Sequence, residues 1–187
     1  MRLKSFFISV GLIASFLVGP ISINSANSLQ IKVAPANWGH IYASGNTASI
    51  QSTPRPISAN LEKKSSFIIN FNNVPANVKI PIQAAVDVWS GNFSSTVPIN
   101  VNINWGRSTS YSVLASASAK KNFANFAGAP DKTLYYPSAL ANALSGKDLD
   151  PNAAEMEITI NSSAPWYYGI DGNCPARSYD LVSVILH

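Results

Sequence analysis

The chain of 187 residues has a single cysteine, Cys174, which excludes an internal disulfide framework. An odd cysteine in an exported protein is either a thiol or half of a pair whose partner lies elsewhere. Charge is equally sparse, at 12% of residues, and no basic cluster occurs beyond Lys63-Lys64 and Lys120-Lys121. Nucleic acid binding therefore finds no support. There is no G-x-S-x-G motif, and Cys174 has no His and Asn at usable positions, so the nucleophilic hydrolase classes are poor fits. No internal repeat is present. The apolar run from Phe6 to Val18 is shorter than the roughly 20 residues that span a bilayer, and Gly19-Pro20 breaks it.

That run has a specific setting. Arg2 and Lys4 precede it and a small, polar zone from Ser22 to Ser28 follows, which is the order of a secretory signal peptide over residues 1–28. Cleavage is expected before Asn27 or Leu29, giving a secreted or periplasmic product with no stable membrane anchor. Removing Arg2 and Lys4 from 13 cations leaves 11 against 9 anions, so the basic balance of the whole chain is partly a property of the leader. Roughly 160 residues remain, enough for one domain with its own core.

Residues 29–66 are polar and punctuated by Pro35, Pro54 and Pro56, without sustained periodicity. They read as a tail, linker or short pro-segment holding a strand or two. Regular structure is expected from Phe67, where Phe67-Ile68-Ile69-Asn70-Phe71 favours a strand closed by Asn72-Asn73 and Val74-Pro75. Val78, Ile82, Ala85, Val86 and Trp89 then line one helical face, with Pro81 in or near the first turn and Gly91 at the end. Alternation from Pro98 to Trp105 marks a half-buried strand, with Ile99, Val101, Ile103 and Trp105 inward. Trp89 and Trp105 read as core.

Further along, residues 110–118 suit a strand and residues 119–133 a loop. Pro137, Leu140, Leu144 and Gly146 frame a short helix, and residues 155–160 alternate as a strand. Glu155 and Glu157 share one face of that strand and suit a solvated edge. Trp166-Tyr167-Tyr168-Gly169 forms an aromatic loop, and Asp171 is a turn residue. His40, in the polar stretch, suits a solvated side chain. Finally Ser178 serves as an N-cap, and Leu181 to His187 is an almost wholly apolar helix with no Gly or cationic last turn to stop it. The expectation is a buried helix interrupted at His187.

The stretch Tyr179-Asp180-Leu181-Val182-Ser183-Val184-Ile185-Leu186-His187 resembles the lead-in to the H-E-x-x-H-x-x-G helix of metzincin-type zinc peptidases, in particular secreted matrixin-like members. The resemblance runs back over residues 67–187, through Ala84 to Trp89, the strand ending at Trp105, Tyr136 to Leu144, and the strand ending at Asn161. It implies an α+β, zincin-like upper subdomain: a twisted mixed sheet with an antiparallel edge strand, packed on helices and incomplete. On that resemblance His187 is the first ligand of a catalytic zinc. Glu157, Ile158, Thr159, Ile160 and Asn161 form the edge strand on which a peptide or protein substrate lies. Intact relatives hydrolyse peptide bonds with metal-activated water. The general-base glutamate and the second and third histidines do not occur in this chain, so it is expected to be an inactive fragment. The competing class is a non-enzymatic exported β-rich binding or adhesion module.

Overall fold

A computed structural model describes residues 30–43, 62–110 and 112–187. The expected signal peptide lies outside the described residues. The elements in chain order are β1 (Lys32–Ala34), β2 (Gly39–Tyr42), β3 (Phe67–Asn72), α1 (Ala76–Asn92), β4 (Ile99–Gly106), β5 (Val113–Ala119), β6 (Asn122–Ala124), β7 (Tyr136–Pro137), α2 (Ser138–Ser145), β8 (Met156–Asn161), β9 (Trp166–Tyr167), β10 (Tyr179–Asp180) and α3 (Leu181–Leu186).

This is a mixed α+β architecture with few helices. The main sheet has the order β2-β5-β8-β4-β3. β3, β4 and β8 are parallel, β5 runs antiparallel to β8, and β2 runs antiparallel to β5. Parallel neighbours need a crossover, and α1 supplies it between β3 and β4. A smaller antiparallel sheet has the order β1-β6-β7, and β9 pairs with β10 in parallel.

Alternation in β4 decides which face is covered. Ile99, Val101 and Ile103 are buried against α1 and α3, where they meet Val78, Ile82, Ile160 and Leu181. Each fully buried aliphatic side chain there contributes about 1.5 to 3 kcal/mol. The opposite face carries a polar ladder. Asn70 Nδ2 donates to Asn102 Oδ1 at 3.0 Å, Asn72 Nδ2 to Asn104 Oδ1 at 2.9 Å, and Asn104 Nδ2 to Glu157 Oε1 at 2.9 Å. A second apolar cluster joins Phe123, Phe126 and Ala141 beneath the small sheet.

Several local expectations are corrected. Pro81 is near the first turn as expected, in the second turn of α1, and is buried there, where it cannot donate to the carbonyl one turn back. Gly91 is inside the helix, and Phe93 caps it by donating its N–H to the Trp89 carbonyl at 2.9 Å. Trp89 is 43% exposed, whereas Trp105 does pack against the core. β6 forms inside the stretch read as loop, because its three residues pair with β1 and two of them, Asn122 and Phe123, also pair with β7. α3 begins at Leu181 with Asp180 as N-cap; Ser178 is displaced from that role because Tyr179 and Asp180 are held as a strand against β9.

Candidate functional site

The C-terminal helix is positioned from β8. Asn161, the last residue of β8, accepts Trp166 Nε1–H at its carbonyl at 2.7 Å, and Tyr179 N–H donates to the Pro165 carbonyl at 2.9 Å. The Trp166 and Tyr179 rings meet edge to face, 6.3 Å apart. These contacts deliver Asp180, buried at 1% exposure, to the start of α3, where its Oδ2 accepts the Ser183 hydroxyl at 2.6 Å. Leu181 and Val182 are fully buried, so the helix is seated in the core and carries His187 out at its far end.

His187 borders a surface cavity of about 370 Å³ whose wall includes Tyr179, Asp180, Ser183 and, from β2, His40 and Tyr42. The structure thus brings His40 and His187 to one cavity, a juxtaposition that a reading of His40 as merely solvated misses; His40 is exposed, with its ring 6.0 Å from that of Tyr42. Among the described residues there is no group of three or more His, Cys, Asp or Glu placed to hold a metal ion. Catalytic zinc is held by about three protein ligands, so the donors present here do not fit it.

Residues Glu157, Ile158, Thr159, Ile160 and Asn161 are not on an edge. β8 is paired with β4 on one side and β5 on the other, which uses its backbone donors and acceptors on both sides and leaves none for an added peptide. The strand that opposes the direction of its neighbour is β5, and β2 lies on its outer side. Glu157 instead forms an ion pair with Lys120 at 2.6 Å; that hydrogen bond, with a further one from Asn104, holds its carboxyl below the usual carboxylate range. Glu155 is not a solvated edge residue either. It is 2% exposed, and it accepts the Asn100 backbone N–H at 2.6 Å and Asn142 Nδ2 at 3.0 Å.

The aromatic loop is organised around Asp171. Tyr167 donates its hydroxyl to Asp171 Oδ1 at 2.5 Å, and the Asn173 backbone N–H and side chain add further bonds. The Tyr167 hydroxyl first, and then Asn173, pull the Asp171 carboxyl down to about 2. The same contact raises the Tyr167 phenol above its ordinary value. Asp171 is thus the turn residue expected, with a tyrosine clamp the sequence did not announce. Cys174 Sγ lies 3.4 Å from the Ser178 carbonyl.

Under α1 the covered face of the sheet is not filled throughout. An apolar trough of about 220 Å³ runs over the N-terminal ends of the parallel strands, bounded by Phe67, Ile99, Met156, Trp89 and, from α3, Ile185. α3 therefore runs from the C-terminal end of β8 back towards the strand starts, with its last turn at the trough. Comparison with known protein families, curated proteins and solved structures finds none that matches this chain.

Proposed function

We propose that this chain is the upper part of an exported metzincin-like zinc metalloendopeptidase, with His187 as first metal ligand and the general base and other ligands outside residues 1–187. The observation that carries the reading is the placement of His187. It ends a helix seated by Leu181 and Val182 in the core, beneath a sheet whose strands β3, β4 and β8 are parallel and whose β5 opposes them. The order β3, α1, β4, β5, β8, α3 supports the same reading, as does the trough lying ahead of α3, which suits an apolar helical continuation. Substrates would be extended polypeptides, and the leader would carry the protein out of the cytoplasm.

No hydrolytic step is assigned to the residues present, since one imidazole does not make a zinc site. Zinc titration of purified residues 29–187 tests this directly. Binding well below one equivalent, with casein left uncut, is expected. Chelator-sensitive proteolysis by homogeneous protein of this length would place the active site elsewhere and overturn the reading.

A further inference from the structure

β3 ends the main sheet on the side away from β2, and among the described residues its outer side pairs with no other strand. Backbone N–H and C=O groups on that side stand open to a further chain. The usual guards are missing from the strand itself. Phe67-Ile68-Ile69-Asn70-Phe71-Asn72 holds no proline, glycine or charge, and its register with β4 runs unbroken. Six such residues on a sheet edge are the pattern that recruits another strand. Lys79 of α1 stands beside it, 4.9 Å from the Phe71 ring centroid.

On the polar face of the sheet the side-chain hydrogen bonds run one way. Glu157, an anion paired with Lys120, can only accept, so Asn104 turns its Nδ2 towards it at 2.9 Å. Asn104 Oδ1 is then the atom left for β3, and it accepts Asn72 Nδ2 at 2.9 Å. This leaves Asn72 Oδ1 at the end of the ladder, with no donor among the described residues. Asn70 repeats the polarity by donating to Asn102 Oδ1 at 3.0 Å. Both Asn70 and Asn72 are exposed, so the edge presents side-chain acceptors beside its backbone groups. On the other face Phe67, Ile69 and Phe71 are partly buried and offer apolar contact.

We propose that the outer side of β3 is a docking edge for an extended segment of another polypeptide, one that carries asparagine or glutamine on the ladder face and apolar residues at the alternate positions. Side-chain amides of such a segment donate to Oδ1 of Asn70 and Asn72 and continue the ladder, while its backbone completes the strand pairing. The polarity selects against a second copy of this chain. Two β3 strands paired antiparallel about a twofold axis would set Asn Oδ1 against Asn Oδ1, acceptor to acceptor. An acidic segment meets the same obstacle. Because β3 lies at the opposite end of the sheet from β5 and β2, the inference goes beyond the peptidase reading and does not rest on it.

The test titrates the isotope-labelled full chain with two capped peptides, one alternating valine with asparagine and the other valine with aspartate. The asparagine peptide is expected to bind at least about tenfold more tightly, although Lys79 would attract the acidic one. Asn72→Ala, at an exposed position, should shrink that preference at least about threefold while the chain stays folded. In the chain alone, the β3 amides that face outward should exchange at least about tenfold faster than those bonded to β4, and the asparagine peptide should slow them. Equal binding of the two peptides, no binding of either at about 1 mM, or a preference unchanged by Asn72→Ala would each overturn the proposal. Uniform protection of the β3 amides in the chain alone would do the same, since the edge would then be covered already. The assay contains no metal, so its failure leaves the zinc reading untouched, and the converse also holds.

Discussion

The carboxylate of Glu155 accepts the backbone N–H of Asn100 at 2.6 Å, joining the segment ahead of β8 to β4 from a position with 2% exposure. Its other oxygen accepts Asn142 Nδ2 at 3.0 Å, and the Asn142 Oδ1 accepts the Leu149 N–H at 3.0 Å. The Ser138 hydroxyl donates to the Glu155 carbonyl at 2.8 Å. One buried acid thus ties β4, β8 and α2 together.

Glu155→Ala removes the carboxylate that accepts the Asn100 backbone N–H and Asn142 Nδ2, though Ser138 keeps its bond to the backbone carbonyl, and a loss of about 3 kcal/mol is expected in a urea melt. Glu155→Gln keeps one acceptor oxygen but turns an amide towards Asn142, whose own orientation is fixed by Leu149; a smaller loss of about 1 to 2 kcal/mol follows. An alanine variant within about 0.5 kcal/mol of the parent would contradict this role.

The Tyr167 to Asp171 clamp makes a pH prediction. Asp171 titrates lower in the folded chain, at about 2, than its ordinary 3.8, so the clamp contributes to stability above about pH 4 and that contribution is lost as pH falls towards 2. Tyr167 is raised, so its share is present below its ordinary value of 10 and is lost as pH rises through the folded value. Tyr167→Phe removes the largest cause, and the Asp171 carboxyl should move up from about 2 towards its ordinary 3.8, with Asn173 still holding it below that value, in a carbon-detected NMR titration. An unchanged Asp171 midpoint would show that the tyrosine does not set it.

Export makes a separate prediction from Arg2, Lys4 and the apolar run behind them. Intact mass of the protein recovered outside the cytoplasm should correspond to a chain starting between Asn24 and Lys32. Soluble exported protein that retains Arg2 or Lys4 would refute processing at this site.

What the sequence discloses depends on whether a residue's role is local. Val78, Ile82 and Ala85 fall at helical spacing and are buried in α1, and Ile99, Val101 and Ile103 alternate and are buried in β4, because periodicity records which face is covered. Alternation does not record what pairs at a strand's sides. The resemblance makes β8 an edge, and nothing in its alternation opposes that, although it pairs with both β4 and β5. Glu155 reads as solvated for a related reason: its donors come from Asn100 and Asn142, distant in sequence, and a buried acid with remote partners looks the same as a solvated one. Ser178 has good capping chemistry, yet pairing of Tyr179 with Trp166 moved the helix start to Leu181. The meeting of His40 and His187 depends on β2 adding to β5, which no local pattern encodes.

The central claim is that His187 opens a zinc site on a helix continuing from α3. A second imidazole on the same helical face must recur four residues on, with the water-activating carboxylate directly after the first. Reading the coding DNA downstream of His187 in all three frames tests this most directly. The account predicts a glutamate codon immediately after His187 and a histidine codon four positions after it, with glycine about three residues further on. A reading that contains neither the glutamate nor the second histidine would contradict the peptidase assignment and leave a non-enzymatic exported binding or adhesion module in its place.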